Sequence, residues 1–511
     1  MKKGRRFMAV LAALAIAAPG LFAGGSTESA SSKGPVTIKI LFSHTNAEYA
    51  KAVTDWKNDV YAKELNRLSG YNIEWEFGPH VEYPQFISVR FASGDLPDII
   101  RTDSVDSLNH PGAVDNGIFT EMGPLLDKYG PDIKKNILPD LWTSPMVAKN
   151  GKIYAIPVMA PYAATRVVYY RQDWLDQAGM PIPKTIDDCL KYYEWVKQNK
   201  KDAYGYYVRE NMAYSELFFG AYGVHPSTWQ YVDGQFVPSM ILPQMKEPIK
   251  LWKSLFDKGY VNPNMFTCKS SDWNAGIYSN KAGSWQHDVG NYELSWVNQM
   301  LDKTAKLTMA AAPAGPTGNK GLVPAGNRFY FSMVFPAKSK VTADAVKFLE
   351  KCWTDPAIES FFLWGIKGRN YTLDAAGKIQ WDAANPYNKN ANEQNVYRIS
   401  LNPTVYHYDT PKILALRPNA QVYLDGIQTA AGNAIPNIAI NMPQIDVFKT
   451  APELRPGFNS GSLFLDMFAA VVTGKADPDA SFDKFVADWK KRGGDEAVKQ
   501  ATDWYNKNQK K

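Results

Sequence analysis

The stretch Phe91-Ala92-Ser93-Gly94-Asp95-Leu96-Pro97-Asp98-Ile99-Ile100-Arg101-Thr102-Asp103 decides the fold, because it joins a helix end, a tight turn and a buried strand. Upstream of it, Tyr83, Phe86, Ile87, Arg90 and Phe91 share one helical face. Gly94 can take the left-handed conformation that ends a helix without a Cβ penalty, and Pro97 forbids the helix to resume. Asp98-Ile99-Ile100 then starts a short apolar strand that gives way at once to Arg101-Thr102-Asp103-Ser104. In an open α/β sheet, ligands bind outside the carboxyl ends of the strands, so this polar cluster is a candidate site.

Working outward, Val36, Ile38, Ile40 and Phe42 alternate as a strand, Tyr49, Val53, Trp56 and Val60 recur at helical spacing, and Tyr71, Ile73, Trp75 and Phe77 alternate again. Strands alternating with helices of this length predict an α/β fold with a mostly parallel sheet covered on both faces. The loop carrying His44 is expected at the same sheet edge as Arg101. Ile153 to Val158 closes this unit. Beyond Pro157 and Pro161, a strand from Arg166 to Tyr170, a helix from Gln172 to Ala178 and a helix capped by Thr185 begin a second α/β unit. Phe329 to Phe335 reads as a further strand and Ala343 to Trp353 as a helix, whereas Pro403 to Pro456 shows little periodicity.

Ser93-Gly94-Asp95-Leu96-Pro97-Asp98-Ile99, Gly151-Lys152-Ile153-Tyr154-Ala155-Ile156-Pro157, and Tyr170-Arg171-Gln172-Asp173-Trp174-Leu175-Asp176-Gln177-Ala178-Gly179 followed by Pro183-Lys184-Thr185 occur in this order. Ala312-Pro313-Ala314-Gly315-Pro316 and Gly365-Ile366-Lys367-Gly368-Arg369-Asn370-Tyr371 follow. Together they resemble the extracellular solute-binding proteins, family 1, the ligand-capturing subunits of sugar ABC importers. The resemblance implies a two-lobe periplasmic-binding-protein fold with interdigitated lobes and hinge crossings, closing over an oligosaccharide. It implies no catalysis, no cofactor, a monomer, and membrane permease subunits as partners. It also returns the Phe329-to-Trp353 pair to the first lobe. The expected division is a signal peptide at 1–23, a flexible linker at 24–35, a first lobe of 36–157 plus 314–355, and a second lobe of 158–313 plus 356–511.

Composition bounds the function. The 511 residues, 45% of them hydrophobic, suffice for two or three domains. Formal charge is +6, but Lys2, Lys3, Arg5 and Arg6 lie in the expected leader, leaving about +2, so no nucleic-acid-binding surface is indicated. The basic start, the apolar run from Phe7 to Ala18 and Leu21-Phe22-Ala23 read as a secretory signal too short to span a bilayer. Phe22-Ala23-Gly24-Gly25 resembles the family's lipidation box with Gly25 in place of the lipidated cysteine, which implies an unanchored periplasmic protein. Cys189, Cys268 and Cys352 show no metal-ligand spacing; they read as buried small hydrophobes, or as one disulfide with a thiol left over.

No H-E-x-x-H, G-x-S-x-G or Walker A pattern occurs, and Gly315-Pro316-Thr317-Gly318-Asn319-Lys320-Gly321 reads as a surface turn. A glycosidase needs only two facing acids, so a secreted hydrolase stays open as an alternative. Where some oligosaccharide-binding relatives carry a calcium loop, Gln198-Asn199-Lys200-Lys201-Asp202-Ala203 has two lysines and one acid, too few oxygens for calcium. Strand ends and crossings supply the candidate ligand-binding residues: His44, Arg101, Asp103, Tyr162, Arg166, Trp285, His287, Asp288, Arg328, Tyr330, Trp364, Arg369 and Tyr371. Trp285, in Gly283-Ser284-Trp285-Gln286-His287-Asp288, is expected as the platform for a sugar ring, with core packing as its alternative. Lys367, Arg101, Arg328 and Arg369 admit an acidic sugar as well as a neutral one, and a peptide or other polar solute is a further alternative.

Overall fold

The computed structural model describes residues 34–508 except 44–47, 81, 161, 323–327, 383–384, 389–392, 400–419 and 436. Two separate sheets organise the chain. The first contains, in spatial order, Asn72–Gly78, Thr37–Ser43, Ile99–Thr102, Phe329–Val334 and Ala155–Met159. The three strands from the start of the chain are parallel, and Phe329–Val334 joins them antiparallel. Gly94 has φ 70° and ends the helix Tyr83–Ser93, as the turn chemistry predicts. Asp98 braces the turn: one carboxylate oxygen accepts from Lys39 N at 2.8 Å and the other from Ser339 Oγ at 2.6 Å. Side chains alternate across this sheet. Ile38, Ile40, Phe42 and Ile99 enter one core, and Leu41 and Ile100 enter the core on the opposite face.

The second sheet runs Leu307–Ala310, Arg166–Arg171, Ala282–Asp288 and Tyr204–Tyr206. Val168 and Tyr170 face one core and Val167, Tyr169 and Trp285 the other. The Ile186–Asn199 helix that covers it starts with a capping box: Thr185 Oγ1 accepts from Asp188 N, and the Asp188 carboxylate accepts from Thr185 N. The three cysteines are buried and free. Among the described residues no helix is long and apolar enough to cross a membrane.

Two expected boundaries are corrected. Ile358, Phe361, Phe362, Val396, Tyr397 and Ile399 pack into the core of the first sheet, so these residues belong with the first lobe rather than the second. Their apolar side chains pack over the helix Val60–Ser69, with Phe361 tilted against Tyr61. Conversely, Ala312 and Leu322 belong to the core of the second sheet, and Ala314 bridges Thr185, so the crossing back to the first lobe follows Leu322 rather than Pro313. The glycine-rich segment is held there by close backbone approach. A Cβ on Gly315 would lie 1.8 Å from Ala221 O, so its glycine ends are packed and only the tip is an exposed turn. The expected irregular region also contains a helix, Ala420–Asn433.

Candidate functional site

Met159 ends a strand of the first sheet and Arg166 begins one of the second, so the crossing segment between them joins the two sheets. Arg328 stitches this crossing to the return one: its N–H side chain donates from Nε to Ala160 O at 2.9 Å, and its own carbonyl accepts from Ala160 N at 2.6 Å. With φ 65°, Arg328 occupies the left-handed region. Its place is structural: it ties the two crossings together. Tyr162 is half-buried on the same crossing, close enough for its charge state to act on Arg328.

On the first-lobe edge, Arg101 lies 4.4 Å from the Phe331 ring centroid, 5.6 Å from Tyr330 and 6.0 Å from Tyr83. Such arrangements of a guanidinium over rings are favourable without a carboxylate. Tyr330 is 61% exposed. The register slips there: Phe329 pairs Met159 and Phe331 pairs Val158, leaving Tyr330 as the extra residue of a bulge that turns it out. Asp103 is exposed beside them, and its charge acts on Arg455 of the second lobe, whose guanidinium is otherwise pushed down by burial. Another second-lobe residue, Lys449, brings Nζ to 3.9 Å from Asp106. His44 lies outside the described residues.

On the second-lobe edge, Arg166 and Asp288 are register partners, with Nε 3.6 Å from Oδ1. Thr165 Oγ1 donates to the same carboxylate oxygen at 2.7 Å. Burial raises the Asp288 carboxyl, but Arg166, His287 and Thr165 together bring it below its ordinary value. His287 is pushed down to about 3 by burial, so it is neutral and accepts from Asn291 Nδ2 at 2.7 Å. The structure therefore brings together the expected Arg166, His287 and Asp288.

It also adds residues that the sequence did not single out. Tyr214 lies 4.3 Å below the Arg166 guanidinium and 4.2 Å from the His287 ring. Glu216 is raised by burial and drawn back by Arg166, and it accepts from Gln286 Nε2. Both sit on a loop after the strand Tyr204–Tyr206, where neither periodicity nor turn residues mark a site. Asn433 positions Arg166 from below, donating to its carbonyl at 3.1 Å and accepting from Ala312 N at 2.8 Å. Its only sequence signal was a polar residue ahead of a proline in a stretch without periodicity.

Trp285 is not a platform. It is fully buried, stacked on Tyr169 at 5.5 Å and edge-on to Trp296 at 5.4 Å. Trp364 is likewise buried at the end of the helix Pro356–Trp364. Arg369 belongs to a separate first-lobe cluster: its Nε donates to Tyr61 Oη at 3.2 Å, Glu393 lies 3.6 Å away, and the Tyr387 ring centroid is at 3.6 Å. Tyr371 is half-buried in the neighbouring hairpin with Ile379–Trp381. Among the described residues no group of three or more His, Cys, Asp or Glu is arranged to hold a metal ion.

Among curated proteins, the chain is 24% identical over 475 residues to lipoprotein LipO of Bacillus subtilis, covering 87% of this chain and 88% of that one. It is 24% identical over 391 residues to the polygalacturonan/rhamnogalacturonan-binding protein YtcQ of the same organism, covering 72% and 74%. Among solved structures, the alginate-binding protein AlgQ2 without calcium ion has a TM-score of 0.71 at 20% identity, covering 93% and 98%. The Streptococcus pneumoniae ABC-transporter substrate binding protein FusA, an EF-hand mutant in complex with fructo-nystose, has a TM-score of 0.73 at 18% identity, covering 93% and 99%. These structural likenesses establish the two-lobe α/β solute-binding fold. A family described as bacterial extracellular solute-binding protein matches residues 50–357, more than half of the chain, and the protein belongs to that family.

Proposed function

We propose that this protein is the substrate-binding subunit of an ABC importer, capturing an oligosaccharide between its lobes by hinge closure and delivering it to a membrane permease. The observation that carries the reading is that both strand ends joined by the crossing combine a guanidinium, an aromatic ring and a carboxylate. Rings suit the apolar faces of sugars, and the charged groups suit hydroxyls as both donor and acceptor. Relatives named for saccharide binding support it. The protein works as a monomer without catalysing a reaction, in the periplasm, with Gly25 leaving no lipid anchor.

Thermal-shift screening against a glycan library tests the ligand class, since a ligand that binds only the native state raises the melting temperature. Small-angle scattering at saturating hit ligand should show a smaller radius of gyration; an unchanged radius counts against closure. Mass spectrometry should recover the hit intact, whereas cleavage would point to a hydrolase. After detergent phase separation the mature protein should stay in the aqueous phase, and an acylated N-terminus would refute the unanchored form.

A further inference from the structure

Arg209, Glu210, Tyr214 and Glu216 come from one loop, and its backbone is held in a rare conformation. Asn211, Met212 and Tyr214 all have φ between 51° and 63°, although none is glycine. Such strain persists only where surrounding contacts enforce it, and it concentrates at ligand clamps. Here the contacts are visible: Tyr206 Oη donates to Tyr214 O at 2.7 Å, Glu210 N donates to Cys268 O at 3.0 Å, and Leu217 N donates to Gln286 Oε1 at 3.2 Å. The result is that Tyr214 is laid under Arg166 and Glu216 is set against it.

The charges at this edge are already answered. Arg166 has Asp288 at 3.6 Å and Glu216 close by, and Arg209 has Glu210 at 3.6 Å. Yet Arg166 Nε and Nη1 are buried without a hydrogen-bond partner among the described residues. Asp288 keeps 36% of its side chain exposed. Unused donors beside carboxylates suit a hydroxyl, which both donates and accepts. An incoming carboxylate would gain the donors but meet two like charges. On the first-lobe edge Arg101 is stacked among the Tyr83, Tyr330 and Phe331 rings.

Resting on the oligosaccharide reading above, we propose that the Arg209–Glu216 loop is the specificity-determining wall of the second lobe, and that by setting Glu216 and Asp288 around Arg166 it selects neutral saccharides and rejects uronates. The ring of Tyr214 keeps the guanidinium in place while its free N–H groups read hydroxyls.

The test is calorimetry and thermal shift on the full chain with neutral oligosaccharides, oligogalacturonates, oligoalginates and short peptides. Neutral members should raise the melting temperature and oligouronates should not. With the best neutral member, Glu216→Gln and Arg166→Gln should each weaken binding roughly ten- to a hundredfold, the worth of a hydrogen bond to a charged group, while Glu216→Gln narrows the gap to the uronates. The melting temperature of each variant without ligand, compared with wild type, separates a loss of binding from misfolding. Binding of an oligouronate more tightly than every neutral member would overturn this inference and leave the oligosaccharide reading intact. A shift with peptides only, or with no member, would overturn both.

Discussion

Trp285 and Tyr330 are both large aromatic residues on strands that run to the crossing edges, yet one is fully buried and the other 61% exposed. Trp285 sits three residues before the end of its strand, opposite Tyr169, and Trp273, Trp296 and Tyr292 close over that face. Tyr330 sits at the mouth of its strand, where the bulge leaves it with no register partner. Along Ala282–Asp288 the change comes within three residues: Trp285 is fully buried, the His287 side chain is 12% exposed and that of Asp288 36%. At about 3.3 Å per residue this is roughly 10 Å of strand. Depth below the sheet edge, rather than residue type, separates the buried ring from the exposed one.

The largest effect expected from this contrast is on stability. Trp285→Ala should cost about 3–5 kcal/mol by leaving a cavity among Tyr169 and Trp296. Denaturant unfolding of the ligand-free protein measures it, and an unaltered midpoint combined with lost ligand affinity would move Trp285 into the site.

Next comes acidification, which acts on two histidines held in buried surroundings. Burial holds His287 down to about 3 and His225 to about 4, below the ordinary value for histidine. Between that ordinary value and the folded one, the unfolded chain binds more protons, so stability rises with pH across this window and falls as pH drops. The slope is about 1.4 kcal/mol per pH unit for each histidine, or about 2 kcal/mol each at pH 5. Unfolding curves from pH 7 to pH 5 check it, and a flat profile would show that these rings are hydrated.

Tyr330→Ala should do the reverse of Trp285→Ala. Stability should stay within about 0.5 kcal/mol, while affinity for the screened glycan falls by about 1–2 kcal/mol as a ring face is lost. Destabilisation without loss of affinity would reverse the assignment of the two residues. Smallest of all, Lys449→Met removes an ion pair between the lobes, with Lys449 38% and Asp106 30% exposed. Solvent screening limits it to less than about 1 kcal/mol. Melting temperature should change little and less at high salt; a large change would make this contact a major lobe clamp.

Much of the fold was legible because its local signals agree with one another. Gly94 and Pro97 ended the helix as expected, Thr185 capped its helix, and the alternation at Ile38, Ile40 and Phe42 placed a strand with its core face. That Arg166, His287 and Asp288 stand together at one strand edge was legible because strand ends can be read from the same alternation. Tyr214 and Glu216 were not, since their loop reaches Arg166 through backbone strain held by distant partners. The segment from 356 to 399 was misassigned for a related reason: which lobe an apolar helix covers depends on the face it meets.

The sequence by itself determined the elements, the family and the polar strand ends, all set by interactions within a few residues: helix caps, turn conformations, and the period of apolar side chains. Only the tertiary structure decided which aromatic rings are core and which are exposed, and which carboxylates surround Arg166. Burial and electrostatic pairing are properties of residues far apart in the chain, as with Asn433 beneath Arg166 and Glu216 beside it. A side chain's chemistry is local, but the solvent it keeps or loses is settled by what packs over it.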